Sequence, residues 1–204
     1  MSSDDTRSDK LNSLFPHKVC INLDRRPERW ERMKERFAEQ GIGSVVRFPA
    51  FDGLRMNVPE AWPYTPGHYG CLQSHLAVLR SAQKNAYPNL LIFEDDCVFD
   101  PEFNQKFPRY MEQLPGDWDM LLFGGRHFED PVQVSDNVAR AKMTYLTHAY
   151  ALNRRTYDAL IELCEPGLLA IDDYTAELQK DFNCYCFVPD LIWQERLDSD
   201  TRPG

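Results

Sequence analysis

The stretch Leu90-Leu91-Ile92-Phe93-Glu94-Asp95-Asp96 decides the fold, because it joins four apolar residues directly to three carboxylates. A short apolar run after Pro88-Asn89 is typical of a strand buried on both faces of a parallel sheet. In open α/β sheets, ligands bind beyond the carboxyl ends of the strands. We therefore expect a central strand whose end carries a ligand site, and the alternative is a solvated acidic turn.

The three carboxylates suggest a cation. In an extended backbone Glu94 and Asp96 point to one side and Asp95 to the other, so that two like charges converge and raise each other's pKa. A divalent cation relieves this repulsion, and Mg²⁺ and Mn²⁺ prefer carboxylate oxygens while keeping positions for water and substrate phosphates. The cluster therefore predicts a site for one of these cations.

The flanking sequence predicts an α/β fold. Val19–Leu23 reads as a strand, Pro27 opens a helix that ends at Gly41, and Ser44–Phe48 reads as a second strand. This βαβ unit implies parallel pairing through a right-handed crossover. Further strands are predicted within residues 118–123, 144–152 and 185–188.

The rest of the chain completes the predicted domain organisation. We expect a disordered leader over residues 1–15 and a single domain over residues 16–204. Residues 128–141 are expected to form a polar loop, and residues 189–204 an irregular tail. The pair Gly124-Gly125, at a strand end, allows either a turn or a close backbone approach.

The net charge of the chain limits the kinds of molecule that it is expected to bind. The net charge of −9, from 32 acidic and 23 basic residues, argues against a nucleic-acid-binding protein. An anionic substrate would then need local compensation by a metal or by arginines. Arg25, Arg26 and Arg29 lie at a predicted strand-to-helix turn, where guanidinium and backbone N–H groups can meet an anion.

Sequence features also predict the compartment. The polar N-terminus has no apolar core of a secretory signal, and no apolar run approaches the length of a membrane span. The six cysteines form no CxxC pair, which favours reduced thiols, with a metal or redox role for Cys184 and Cys186 as the alternative. We therefore expect a cytoplasmic protein, and this is compatible with peripheral contact at the inner face of a membrane.

Five blocks, in this order, resemble glycosyltransferase family 25, which includes bacterial lipopolysaccharide galactosyltransferases and collagen galactosyltransferases. They are Cys20–Arg29, Ala50–Gly53, Gly70–His75, Leu91–Asp96 and Thr147–Tyr150. The resemblance covers about residues 17–200. It implies a GT-A type, Rossmann-like three-layer αβα sandwich with a mostly parallel sheet, a UDP-sugar donor, Mn²⁺ or Mg²⁺, and inversion at the anomeric carbon.

The resemblance also implies roles for individual residues. Glu94 and Asp96 match the acidic metal-binding motif of the family, and the cation would neutralise charge on the departing UDP. The other matched positions would contact the donor nucleotide; they are Asn22, Arg25, Asp52, Ser74, His75 and Asp95.

An inverting transfer needs a general base that takes the proton from the acceptor hydroxyl. Carboxylates that bind the metal are poorly suited to act as this base, because their negative charge already stabilises the cation. Asp172 and Asp173, in a segment that resembles a later aspartate block of the family, are the candidates, with Asp190 behind them. The alternative is that an aspartate here only caps a helix.

The predicted function is metal-dependent transfer of a hexose, such as galactose or glucose, from a UDP-sugar to a hydroxyl of a saccharide or lipid-linked glycan precursor, as in lipopolysaccharide biosynthesis. Collagen modification is disfavoured, because the sequence shows no secretory signal or retention tetrapeptide. One alternative is a non-catalytic nucleotide- or sugar-binding relic of the same fold. Another is a metal-dependent phosphotransfer or receiver domain, which is disfavoured because such domains place their acidic pair after the first strand.

Overall fold

The computed structural model describes residues 5–195 and 200–201. Its strands are β1 (Lys18–Asn22), β2 (Val45–Pro49), β3 (Asn89–Glu94), β4 (Cys97–Phe99), β5 (Met120–Leu122), β6 (Arg126–His127), β7 (Val132–Gln133), β8 (Val138–Arg140), β9 (Thr144–Tyr145), β10 (Ala149–Asn153), β11 (Cys184–Phe187) and β12 (Ile192–Gln194). Its helices are α1 (Asp5–Leu14), α2 (Pro27–Glu39), α3 (Pro66–Lys84), α4 (Phe103–Met111), α5 (Tyr157–Cys164) and α6 (Ile171–Leu178). None of the helices within the described residues combines the length and the apolar composition that a membrane span requires.

A central sheet of eight strands runs in the order β2-β1-β3-β10-β5-β11-β8-β7. The predicted βαβ unit is confirmed, because β1 pairs in parallel with both β2 and β3. Strand β10 is inserted antiparallel between β3 and β5, and β5 then pairs in parallel with β11. Strands β1, β2, β3, β5 and β11 therefore share one direction, as expected for a mostly parallel sheet.

Helices cover both faces of this sheet. Successive residues of β3 enter opposite cores, since Ile92 packs with residues of α3, α5 and α6, whereas Phe93 packs with residues of α2 and α4. Both strand residues are fully buried, as the continuous apolar run predicted. The predicted three-layer αβα architecture is confirmed.

Residues 5–15 differ from the disordered leader predicted for residues 1–15, of which residues 1–4 lie outside the described residues. Residues 5–14 form α1, and the side chains of Leu11 and Phe15 are buried in the core on the α2 and α4 face. The ring of Phe15 lies edge-on to Trp118 and Phe123, at centroid distances of 6.1 and 6.2 Å. Two apolar residues one helical turn apart were too few to reveal this packing from the sequence.

Several short strands were not predicted from the sequence, among them β4 and β6. The predicted polar loop 128–141 contains β7 and β8, and the predicted irregular tail contains β12, which pairs with β4. A Cβ on Gly124 would lie 2.1 Å from the carbonyl oxygen of Ile192, so that this glycine allows the close backbone approach. Pairings of two or three residues between distant segments leave no periodicity in the sequence.

We expect Phe123→Ala to lower the free energy of unfolding by about 3–5 kcal/mol, because it removes a fully buried ring from the centre of an aromatic cluster. The Phe123 ring centroid lies 5.9 Å from that of Phe107 and 5.3 Å from that of Phe187. Denaturant unfolding monitored by circular dichroism would measure the loss. Val134→Ala, at a side chain that is 47% exposed, is the control and should stay within about 0.5 kcal/mol of the parent. Equal losses in both variants would contradict this description of the core.

Candidate functional site

A cavity of about 620 Å³ opens at the carboxyl ends of β1 and β3, the edge of the sheet at which a ligand site was predicted. Its wall includes all eight of the predicted donor and metal residues: Asn22, Arg25, Asp52, Ser74, His75, Glu94, Asp95 and Asp96. Neither Asp172 nor Asp173 is among the described residues that line it. The structure thus brings the predicted binding residues together, whereas the two predicted bases lie outside the described wall of the cavity.

The acidic cluster does not follow the predicted strand geometry. Strand β3 ends at Glu94, and Asp95 and Asp96 form the turn that leads to β4. Their side-chain directions are therefore set by their partners rather than by strand alternation. The carboxylate of Glu94 contacts His75 of α3, and that of Asp96 contacts Gln194 of β12. The carboxylate of Asp95 contacts Asn22 of β1 and Arg29 of α2.

Asp96 is the carboxylate whose charge is least compensated. One oxygen accepts a hydrogen bond from Nε2 of Gln194 at 2.9 Å, while the buried Oδ1 has no hydrogen-bond partner among the described residues. Burial raises the pKa of Asp96 to about 8, with the charges of Glu94 and Asp95 adding to the effect. An unpartnered carboxylate oxygen in this setting is stabilised by a proton or by a cation. The residues present therefore fit a hard divalent cation, which prefers such oxygen ligands.

Asp95 is held between two elements. Its carboxylate accepts a hydrogen bond from Nδ2 of Asn22 at 2.6 Å, and Nη1 of Arg29 lies 3.4 Å away. The amide of Asn22 also donates to the carbonyl of Arg26 and accepts from Nε of Arg47 at 2.8 Å. Asn22 therefore fixes the turn after β1 and joins that turn to the acidic cluster.

Glu94, in the wall of the cavity, belongs to a second hydrogen-bond network. Its Oε1 lies 3.2 Å from Nε2 of His75 and 3.1 Å from Oγ1 of Thr147. Burial alone would raise the pKa of Glu94, but the hydrogen bond and charge of His75 lower it. The other ring nitrogen of His75, Nδ1, lies 2.9 Å from the hydroxyl of Tyr150. His75 is fully buried and is fixed at both nitrogens.

Ser74, a predicted donor contact, has a structural role in this fold. Its hydroxyl donates to the carbonyl of Gly70 at 2.7 Å and accepts from the backbone N–H of Phe51 at 2.9 Å. These bonds tie α3 to the segment before the 3₁₀ turn Gly53–Arg55, where Asp52 accepts a bond from the N–H of Leu54. This link between two distant segments was not predictable from the sequence pattern.

The arginines at the turn between β1 and α2 converge on one carboxylate. Arg25 and Arg26 bind Asp200 at 2.6 and 2.8 Å, and Nη2 of Arg29 lies 3.3 Å from the same group. Burial alone would raise the pKa of Asp200, but Arg26, Arg25 and Arg29 lower it. Arg25 also pairs with Asp52 at 3.0 Å. The turn therefore holds a carboxylate of the same chain, and its predicted contact with the phosphate of a ligand stays a prediction.

The two candidate bases differ in their surroundings. Oδ1 of Asp172 accepts from the N–H of Thr147 at 3.0 Å and from its hydroxyl at 2.9 Å, and the same hydroxyl reaches Glu94. Burial raises the pKa of Asp172 to about 6, with the charge of Glu94 adding to the effect. Asp173 instead accepts from the N–H of Ala170, at the start of α6, and from the hydroxyl of Tyr64. Asp173 thus caps a helix, whereas Asp172 is connected to the acidic cluster.

Asp190, the third candidate for the general base, lies beside the Gly124-Gly125 turn after β5. Its carboxylate is 3.4 Å from the backbone N–H of Gly125, and burial raises its pKa. Sequence reasoning also missed three supporting side chains: Thr147, Tyr150 and Gln194. Thr147 and Tyr150 belong to the block Thr147–Tyr150 that resembles the family, so the sequence did contain a signal for them. Gln194 reaches the site because β12 pairs with β4, and this long-range pairing leaves no pattern in the sequence.

Comparison with known proteins gives a consistent result. Residues 15–175 match a family model described as "Glycosyltransferase family 25 (LPS biosynthesis protein)". A "Glycosyltransferase 25 family member" of Drosophila pseudoobscura pseudoobscura is 30% identical over 168 residues, covering 71% of this chain and 27% of the relative. "Procollagen galactosyltransferase 2" of Mus musculus is 28% identical, covering 78% and 30%. "Inactive glycosyltransferase 25 family member 3" of Homo sapiens is 30% identical, covering 68% and 27%, so the chain spans less than a third of each relative.

Proposed function

Since this chain belongs to glycosyltransferase family 25, we propose that it transfers a hexose, such as galactose or glucose, from a UDP-sugar to a hydroxyl of a saccharide or lipid-linked glycan precursor. The observation that carries the proposal is a buried oxygen of Asp96 that has no hydrogen-bond partner within residues 5–195 and 200–201, in the wall of a cavity at the carboxyl ends of parallel strands. The mouse relative, whose name is that of a galactosyltransferase, supports the choice of a hexose.

Glu94 and Asp96 would hold the cation, Mn²⁺ or Mg²⁺. When bound, such a cation neutralises negative charge on a diphosphate and on the nucleotide that leaves. Gln194 fixes one oxygen of Asp96 and leaves the other for a ligand. Asn22 fixes the neighbouring Asp95, so that the turn after β3 is positioned before any ligand binds.

The arginines at the β1–α2 turn would bind the diphosphate of the donor. The proposal rests on the carboxylate of Asp200, which they already hold at 2.6–3.3 Å, since guanidinium groups recognise carboxylate and phosphate oxygens by the same geometry. A donor phosphate would take the place of that carboxylate. Arg25 also pairs with Asp52, which fixes its orientation beside the cavity.

Asp172 would act as the general base, in preference to Asp173. A carboxylate with a pKa of about 6 is deprotonated at neutral pH and is a stronger base than an ordinary aspartate. Thr147 orients it through two hydrogen bonds and connects it to Glu94 at the cavity. Inversion requires this base to act on the face of the sugar opposite to the departing UDP.

A transfer assay tests the proposal. The protein is incubated with UDP-galactose, UDP-glucose and UDP-N-acetylglucosamine, each with Mn²⁺ or with EDTA, and with saccharide and lipooligosaccharide acceptors; free UDP and the product mass are measured. We expect one UDP-hexose to give a product with a mass increase of one hexose, and only with the cation. No product and no UDP release with any donor would contradict the proposal.

The second candidate is a nucleotide- or sugar-binding protein without transferase activity. It is favoured by one observation, the human relative whose name describes it as inactive. This candidate predicts that UDP binds with Mn²⁺ but that neither transfer nor donor hydrolysis occurs. The assay above therefore separates the two functions, whereas a binding measurement alone does not.

We expect Arg25→Gln to weaken UDP binding by about 10- to 100-fold, because one charge-assisted contact to phosphate contributes about 1.5–3 kcal/mol. Calorimetric titration of UDP in the presence of Mn²⁺ would measure the change. Arg80→Gln is the matched control, since the Arg80 side chain is 53% exposed on α3 and pairs with Glu165. Equal affinity in the parent and in Arg25→Gln would remove this arginine from the proposed donor site.

A further inference from the structure

Three side chains of different chemistry meet beside the acidic turn. Cys71 and His75 are four residues apart on α3, so they lie on the same face of that helix, next to the end of β3. The Sγ of Cys71, a ring nitrogen of His75 and a carboxylate oxygen of Glu94 all lie within 4.8 Å of one another. A thiol, an imidazole and a carboxylate are the three side chains that proteins use to bind Zn²⁺.

The distances between these atoms fit one tetrahedral metal ion. With metal–ligand bonds of about 2.0–2.1 Å, two ligand atoms at the corners of a tetrahedron lie about 3.3 Å apart. Nε2 of His75 and Oε1 of Glu94 are 3.2 Å apart. The sulfur of Cys71 lies within 4.8 Å of a ring nitrogen of His75 and of a carboxylate oxygen of Glu94, close enough to provide a third ligand to the same ion.

The groups behind these ligands are also those of a metal site. A histidine that binds a metal through one nitrogen usually holds a polar partner with the other, which fixes the ring. Here Nδ1 of His75 lies 2.9 Å from the hydroxyl of Tyr150, and both side chains are fully buried. Thr147 holds Glu94 from the other side. His75 and Glu94 are therefore fixed before a metal arrives.

The three ligands favour a different cation from the one proposed for Asp96. Sulfur and imidazole select Zn²⁺ and similar thiophilic cations, whereas Mn²⁺ and Mg²⁺ prefer oxygen ligands. Asp96 is not a member of this cluster. Cys71, His75 and Glu94 all line the cavity, so water or a ligand could reach an ion held by them. Cys184 and Cys186, for which a metal role was considered, do not belong to a metal-binding cluster in the described part of the chain.

We infer that Cys71, His75 and Glu94 form a site for a thiophilic divalent cation such as Zn²⁺, which shares Glu94 with the proposed oxygen site but does not include Asp96. On binding, the Cys71 thiol loses its proton to solvent and the sulfur bonds to the metal as a thiolate. Since Glu94 would serve both sites, Zn²⁺ at the triad competes with Mn²⁺ for this carboxylate. The existence of the Zn²⁺ site does not depend on the proposed sugar transfer.

The test uses the metals alone. Zn²⁺ is titrated into the full chain against a chromogenic chelator, and Co²⁺ is added in parallel to detect thiolate-to-cobalt charge-transfer absorption. We expect the parent protein to bind one equivalent and to show this band. Cys71→Ser should weaken Zn²⁺ binding by at least 10-fold and abolish the band, whereas Cys164→Ser, at a buried cysteine of α5, should change neither.

Two further variants keep the inference falsifiable. Tyr150→Phe, which retains the packed ring and removes only the hydroxyl beside His75, should weaken Zn²⁺ binding by about 10-fold. Asp96→Asn should retain both Zn²⁺ binding and the cobalt band, even where it loses Mn²⁺. The inference is overturned if the parent binds Zn²⁺ no better than Cys71→Ser, if Co²⁺ gives no thiolate band, or if Asp96→Asn loses Zn²⁺ as well.

Discussion

Asp96→Asn is expected to lower cation-dependent activity sharply and, at the same time, to stabilise the protein at pH 8. The variant removes a ligand of the proposed cation, and loss of a group that stabilises charge in the transition state lowers kcat by about 10²–10³-fold. The gain in stability has a separate cause, which is the energy spent on keeping a buried, poorly compensated carboxylate charged.

The sign of the pH dependence follows from the direction of the pKa shift. The pKa of Asp96 is about 8 in the folded protein and 3.8 without the surrounding structure, so the folded state holds this proton more tightly than the unfolded state. The contribution to stability is full below pH 4 and is lost as the pH rises toward 8. Asparagine carries no titrating proton, so the variant should lack this loss.

Thermal unfolding from pH 5 to pH 8 measures the effect. At pH 8, without metal, we expect Asp96→Asn to melt about 2–8 °C above the parent, which corresponds to about 1–2 kcal/mol for a chain of this length. Near pH 5 the difference should shrink. Asp130→Asn, at an exposed position, is the control for removal of one carboxylate. A variant that is less stable than the parent at pH 8 and retains activity would contradict both parts of the prediction.

Asp172→Asn is expected to lower kcat for transfer by about 10²–10⁴-fold while leaving UDP binding unchanged, because it removes the proposed base and not a donor contact. Parent activity should fall below about pH 6, where Asp172 becomes protonated. Initial rates of product formation between pH 5 and pH 9 would measure both effects, with UDP binding followed by calorimetry.

Asp173→Asn is the matched control for that experiment. It changes the neighbouring aspartate, whose bonds to Ala170 and Tyr64 support the start of α6, and it should cost about 1 kcal/mol of stability with kcat close to that of the parent. Normal turnover in Asp172→Asn would exclude Asp172 as the base. If only Asp173→Asn lost transfer, the assignment of the two residues would be reversed.

The sequence predicted which residues lie at one cavity better than it predicted the hydrogen-bond partners of their side chains. Glu94–Asp96 follow an apolar strand and Asn22 ends another, and parallel strands bring their carboxyl ends to one edge of the sheet; this was sufficient to place both at one cavity. Directions of side chains beyond the end of β3 were not predictable, because a turn has no fixed alternation. Asp96 faces β12 only because Gln194 reaches it from the other end of the chain.

Asp172 and Asp173 illustrate the same limit within one helix. Both stand in the first turn of α6, where an acidic residue is favourable for local reasons alone. Adjacent helical residues point about 100° apart, so one reaches Thr147 while the other turns back to Ala170. Only the packing of α6 against the segment before β10 decides which residue joins the acidic cluster.

Calorimetric titration of UDP into the protein, with Mn²⁺ and with EDTA, tests most directly the central claim that a cation-dependent nucleotide site lies at the carboxyl end of β3. The account predicts binding in the presence of Mn²⁺, no measurable binding in EDTA, and loss of the Mn²⁺-dependent binding in Asp96→Asn. Absence of UDP binding under any condition, or equal binding in EDTA and in Asp96→Asn, would contradict it.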